Sequence, residues 1–246
     1  MNFLEFNHAQ YRDTFNEAVA DLSLSLTLDE SQQAQHALQG IGAMQGYIDI
    51  MRRLDSDREQ GNVSRSDATD ASQIGDMMLQ LLDELGHVAV SRGLTETMHQ
   101  MHRLSLPVAL WIVQHEGTIE RLDIIVNAVA SFANNVKGQE QLTALCHVIT
   151  QVQSAVSETI RRDLEVSDPM RPWRILNLNW GIIATRTLSP QLMESVFDQL
   201  IDAIPIDAKA FFQEGMQQMD IVGYPDSVRA VMARYNNLLG ASGSLH

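Results

Sequence analysis

The stretch RLDIIVNAVASF, residues 121–132, decides the fold class. Its isoleucines and valines favour extended chain, and a strand here would put a sheet into the protein. Yet Leu122, Ile125, Val129 and Phe132 recur at spacings of three and four, the period of one helix face, not the alternation of a half-buried strand. No turn residues bracket the run. Read as helix, it removes the chain's one strand signal. The expected class is all-α: antiparallel helical pairs, built as a helical repeat (solenoid-like) or a multi-helix bundle.

Helical periodicity continues outward in both directions. Leu4, Tyr11, Phe15, Val19 and Leu22 line a first helix, and Thr27 and Glu30 stand at capping-box spacing before a second. That second helix runs to about Leu54 on Leu38, Ile41, Met44, Ile48 and Met51. It holds Gly40, Gly42 and Gly46, whose cost to a helix calls for a kink or the close approach of another backbone, including that of a second copy. Residues 55–73 are polar and read as a loop or linker. Ile74, Met78, Leu81, Leu82, Leu85 and Val88 mark the next helix, which stops near Gly93. Further helices are predicted over 95–103, 106–116, 118–135, 139–165, 171–187, 190–204, 207–221 and 225–239. Pro190 and Pro225 open two of them, at a first turn where a missing N–H costs nothing. The domain reading is a hairpin over 1–54, a linker over 55–73, a main helical domain over 74–239 and a flexible tail over 240–246. Pro190, Met193, Val196, Phe197 and Leu200 match Pro225, Val228, Val231, Met232 and Tyr235 at a fixed offset, a faint repeat of helix-pair length.

The segment MRPWRILNLNWGI, residues 170–182, carries two of the three tryptophans. On a helix, Trp173, Leu176, Trp180, Ile183 and Ala184 share one face, while Ile175, Leu178 and Ile182 share the opposite one. A helix apolar on two faces is expected between two layers. Two polar edges remain: Arg174, Asn177, Gly181 and Thr185, and Asn179 with Arg186. The first is the expected partner-binding edge, where Arg and Asn could grip a carboxylate or peptide backbone. The competing reading pairs the arginines with neighbouring acids. Met77, Met78, Met98, Met101, Met216 and Met219 are either core filler or an adaptable binding surface.

Bulk chemistry narrows the function. The 246 residues are 45% hydrophobic, enough for a real core, and carry a net charge of −14. No basic stripe is present to release counterions from nucleic acid or to hold an anionic membrane. The acid is concentrated in residues 1–123, net −11 against −3 for the rest, so a partner of the first half is expected to be basic or neutral. A single cysteine, Cys146, permits no internal disulfide, and no leader or membrane span is legible. A soluble, cytoplasmic, bacterial protein is expected.

No nucleophile elbow, P-loop, dinucleotide fingerprint or zinc-protease motif occurs. One constellation stands out: Glu-x-x-His occurs at Glu5/His8, Glu84/His87 and Glu96/His99. Residues three apart share a helix face, and an antiparallel turn at Gly93 would bring the last two copies together. Glu84, His87, Glu96, His99 and His102 would then offer a transition-metal ligand set. The leading expectation is a non-catalytic interaction protein (scaffold, adaptor or chaperone-like) that offers a helical groove to a protein or peptide and needs no cofactor. The alternative is a helical metal- or cofactor-binding protein built on those Glu and His residues.

Overall fold

A computed structural model describes residues 7–62, 66–136, 138–163 and 168–242. Among them are eleven helices and no strand: α1 (His8–Thr27), α2 (Gln32–Glu59), α3 (Asp67–Ser91), α4 (Thr95–Gln114), α5 (Asp123–Asn135), α6 (Gln139–Ala155), α7 (Glu158–Arg162), α8 (Pro172–Arg186), α9 (Pro190–Ala203), α10 (Pro205–Val222) and α11 (Asp226–Ser242). The fold is an all-α multi-helix bundle. From Asp123 on, the stretch 121–132 is helical, and Leu122, Ile125 and Val129 are buried.

Local chemistry places most boundaries. Asn7 caps α1 by accepting from the Gln10 amide at 2.9 Å, and Ser189 caps α9 ahead of Pro190. Five boundaries differ from those expected. The cap of α2 is Ser31, which accepts from the Ala34 amide at 3.2 Å; Thr27 instead closes α1 by donating to the Ser23 carbonyl. Residues 55–59 and 67–73, read as loop, are helical, because their polar residues form solvated helix faces while Ala71 is buried. Asp67 and Asp70 also favour the N-terminal end of the α3 dipole. The helices expected at 95–103 and 106–116 are one. Pro107 lies inside α4 and removes the N–H that would reach the Arg103 carbonyl. The burial of Leu104, Leu106, Val108, Ala109, Trp111 and Ile112 carries the helix past it. Finally, the helix expected over 118–135 starts at Asp123 and the one over 139–165 breaks at Val156. Ile119 and Val156 form an isolated parallel bridge, in which the Ile119 amide donates to the Ala155 carbonyl and the Ser157 amide to the Ile119 carbonyl.

The chain divides into two compact units, 1–132 with 150–157 and 133–149 with 158–246. It passes from one to the other within α5 and returns within α6. In the first unit α3 and α4 form the most extensive pair, α2 lies against α3, and α1 lies against α2 and α4. Of the three α2 glycines, only Gly40 meets a neighbouring helix, at Leu81; Gly42 and Gly46 face open space.

In the second unit α8, α9, α10 and α11 pack successively, and α11 returns onto α9. The repeated pattern is the core of this unit: Met193, Val196, Phe197 and Leu200 of α9 and Val228, Val231, Met232 and Tyr235 of α11 are all buried. Phe197, Phe211, Phe212 and Tyr235 meet at ring-centroid distances of 4.9–5.9 Å, mostly edge to face.

Candidate functional site

Helix α8 buries Trp173, Leu176, Trp180, Ile183 and Ala184 as its phasing requires. The polar edge beside them is not an open face. Arg174 donates from Nε to Asp207 at 2.7 Å and from Nη1 to the Pro169 carbonyl at 2.9 Å. Arg171, almost fully buried, reaches the other oxygen of Asp207 and the carbonyls of Asp163 and Asp168. Asn177 is buried and donates to the Trp173 carbonyl at 2.7 Å. Gly181 lies beneath Phe211 and Leu200: a Cβ there would stand 2.5 Å from the Phe211 ring and 2.8 Å from Leu200. Thr185 returns its hydroxyl to the Gly181 carbonyl. On the second edge, Arg186 binds the carbonyls of Ala133 and Val136. The opposite apolar face differs from expectation too, because Ile182 is 49% exposed.

The Glu/His set is dispersed. Glu84 accepts from Gln80 at 2.8 Å and faces His36 of α2, and Glu96 pairs with Arg103. His87 is 78% exposed, with Nδ1 3.0 Å from the Asp83 carbonyl. His99 and His102 meet edge to face at 6.4 Å. Burial holds His102 below the ordinary histidine range; the nearby Asp83 carboxylate opposes this, and His99 and His87 add to it. His87, His99 and His102 thus lie near one another, while Glu84 is engaged by Gln80 and His36 and Glu96 by Arg103. Among the described residues no three His, Cys, Asp or Glu side chains are placed to hold a metal ion.

A polar cluster that the sequence did not announce lies in the first unit. Asp55 of α2 meets the Nε2 of His115 at 2.6 Å and accepts from the Trp111 indole at 2.8 Å on one oxygen; the Nε2 of His8 stands 2.6 Å from the other. Burial alone would raise this carboxyl. The hydrogen bonds from His115, His8 and Trp111 outweigh that and hold it well below the usual carboxylate range. An ionised carboxylate only accepts, so both Nε2 atoms are donors. His115 is 3% exposed, and the cluster ties the start of α1 to the ends of α2 and α4. Trp111 and His115 are one helical turn apart, but Asp55 and His8 lie dozens of positions away, and no spacing rule could have joined them to the pair.

One open feature of the second unit is a groove of about 620 Å³ between α8, α10 and α11. That is within the ordinary range for binding pockets. Ile182 and Thr185 form one wall, Phe211, Met219 and Val222 the other, and Met232 the floor. Ile182 and Val222 stand at its mouth, and Val222 is 60% exposed. Gln217 and Gln218 add neutral polar groups, and Glu214 the one ionised side chain among the described lining residues. Of the expected edge, only Thr185 lines this groove directly; Gly181 acts from beneath, by admitting Phe211. The groove is built mainly from α10; of its lining residues only Met219 is among the methionines that read from sequence as either core filler or an adaptable binding surface.

The chain matches no protein-family model, no curated protein and no solved structure at a significant level. Among the described residues no helix is long and apolar enough to cross a membrane.

Proposed function

We propose that this protein is a non-catalytic interaction protein whose second unit receives a peptide segment of a protein partner in the α8/α10/α11 groove. One observation carries the reading: large apolar side chains, Ile182 and Val222, are held in water at the mouth of a concave, mostly apolar groove. Large apolar groups exposed together around a concavity mark interaction surfaces more often than isolated ones do. The buried Cys146, whose thiol burial pushes up to about 12, supports a structural rather than nucleophilic role for the single cysteine.

Fluorescence anisotropy with a labelled leucine-rich amphipathic peptide tests the reading. Saturable binding is expected to the wild type and to be weakened at least about tenfold by Ile182→Asp and by Val222→Asp, since a charge in a desolvated contact is costly. Both positions are exposed, so the melting temperature should hold. Binding that does not saturate, or that both variants retain, overturns the reading.

A further inference from the structure

We infer that the groove's occupant is a cationic amphipathic helix of another protein, seated along α10 with a lysine or arginine opposite Glu214. The inference rests on the groove reading above and adds the partner's conformation and charge.

Conformation follows from backbone hydrogen bonding. The walls come mainly from three helices, with Tyr224 of the α10–α11 connection at one end, so the groove presents no strand edge. An extended segment would bury a row of amides against only a few side-chain partners, Gln217 and Gln218 among them, whereas a helix satisfies its own. The spacing agrees. Phe211, Glu214, Gln218 and Val222 follow one another at three- and four-residue intervals along α10. They make a track of about 16 Å at a rise of 1.5 Å per residue, matched by about three turns of a second helix. That helix would present apolar residues at the same spacing to Ile182, Phe211, Met219 and Val222.

Charge follows from which cations are already committed. Glu214 is exposed and has no ion pair among the described residues. Arg174 is held by Asp207, Arg186 by backbone carbonyls, Arg229 by Asp220 and the Met219 carbonyl, and Arg234 by Glu194. Lys209 lies about 140° around α10 from Glu214 at 3.6 residues per turn, on the side away from the groove. Glu214 therefore sets a local negative potential over an apolar track, in a half of the chain whose net charge is −3.

The test uses the full chain and two labelled helix-forming peptides with one shared Leu/Phe stripe, flanked in one by lysines and in the other by glutamates. Anisotropy at low and physiological salt gives each affinity. The wild type is expected to prefer the lysine peptide about fivefold at low salt, the upper range for one exposed ion pair, and less at higher salt. Glu214→Gln should erase most of that preference. Glu17→Gln, on α1, changes net charge equally outside the groove lining and should leave it intact. Equal affinity for both peptides, or a preference that both variants reduce alike, overturns the inference but leaves the groove reading standing. If neither peptide saturates, or Val222→Asp leaves both affinities unchanged, the groove reading fails and the inference fails with it.

Discussion

Gly181 shows how one residue type can be read for two opposite purposes. From sequence it lies on the expected partner-binding edge, between Asn177 and Thr185. In the fold Phe211 and Leu200 pack against it. Gly181→Ala should therefore destabilise the protein by roughly 1–3 kcal/mol, the cost of overpacking a filled interior. It should also displace Phe211, a groove wall, and so weaken peptide binding. Urea unfolding monitored by circular dichroism checks the first effect. A variant as stable as wild type would mean that the Phe211 ring yields without cost. Arg174 differs in kind: it is bound by Asp207 and Pro169, so its removal should act through folding rather than recognition.

At the scale of helices, much was legible because period and capping are local. The stretch 121–132, the buried face of α8 and the shared cores of α9 and α11 all follow from spacings within one turn or two. What was not legible depends on partners distant in sequence. Residues 55–59 look like loop because they are polar, yet Asp55 is held by Trp111, His115 and His8. The exposure of Ile182 likewise depends on where α10 lies, which α8 does not encode. The Asp55 cluster has a pH signature. Asp55 titrates lower in the folded chain than the value of about 3.9 expected unfolded, so its contribution is present above about pH 4 and fades below it. Asp55→Asn turns an amide N–H toward a ring of donors and should cost roughly 1.5–3 kcal/mol at neutral pH, the range for hydrogen bonds to a charged group. The gap between variant and wild type should narrow below about pH 4. Denaturant midpoints at several pH values measure it, and a gap constant from neutral to strongly acid pH would contradict the assignment.

The division of the whole molecule runs across the grain of the chain. Residues 150–157 belong to the first unit, although 133–149 before them belong to the second. Val152 and Val156 are buried, and Val156 brings the partners that pair both the amide and the carbonyl of Ile119. A fragment of residues 1–157 should melt higher than one of residues 1–136, which lacks these groups. Losing two backbone hydrogen bonds alone is worth about 1–3 kcal/mol. Equal melting temperatures by calorimetry would show that the returning segment contributes nothing to the first unit.

The Ile119–Val156 bridge also imposes a timetable on biosynthesis. A ribosome releases the chain in order, so Ile119 emerges with its amide and carbonyl unanswered, and they stay so while the intervening residues are made. The first unit is begun first, but the nascent chain cannot complete it until Ser157 is free of the exit tunnel. Until then its last seam is open, and a stall in translation anywhere between residues 120 and 156 would leave an unfinished unit for a chaperone or a protease to find.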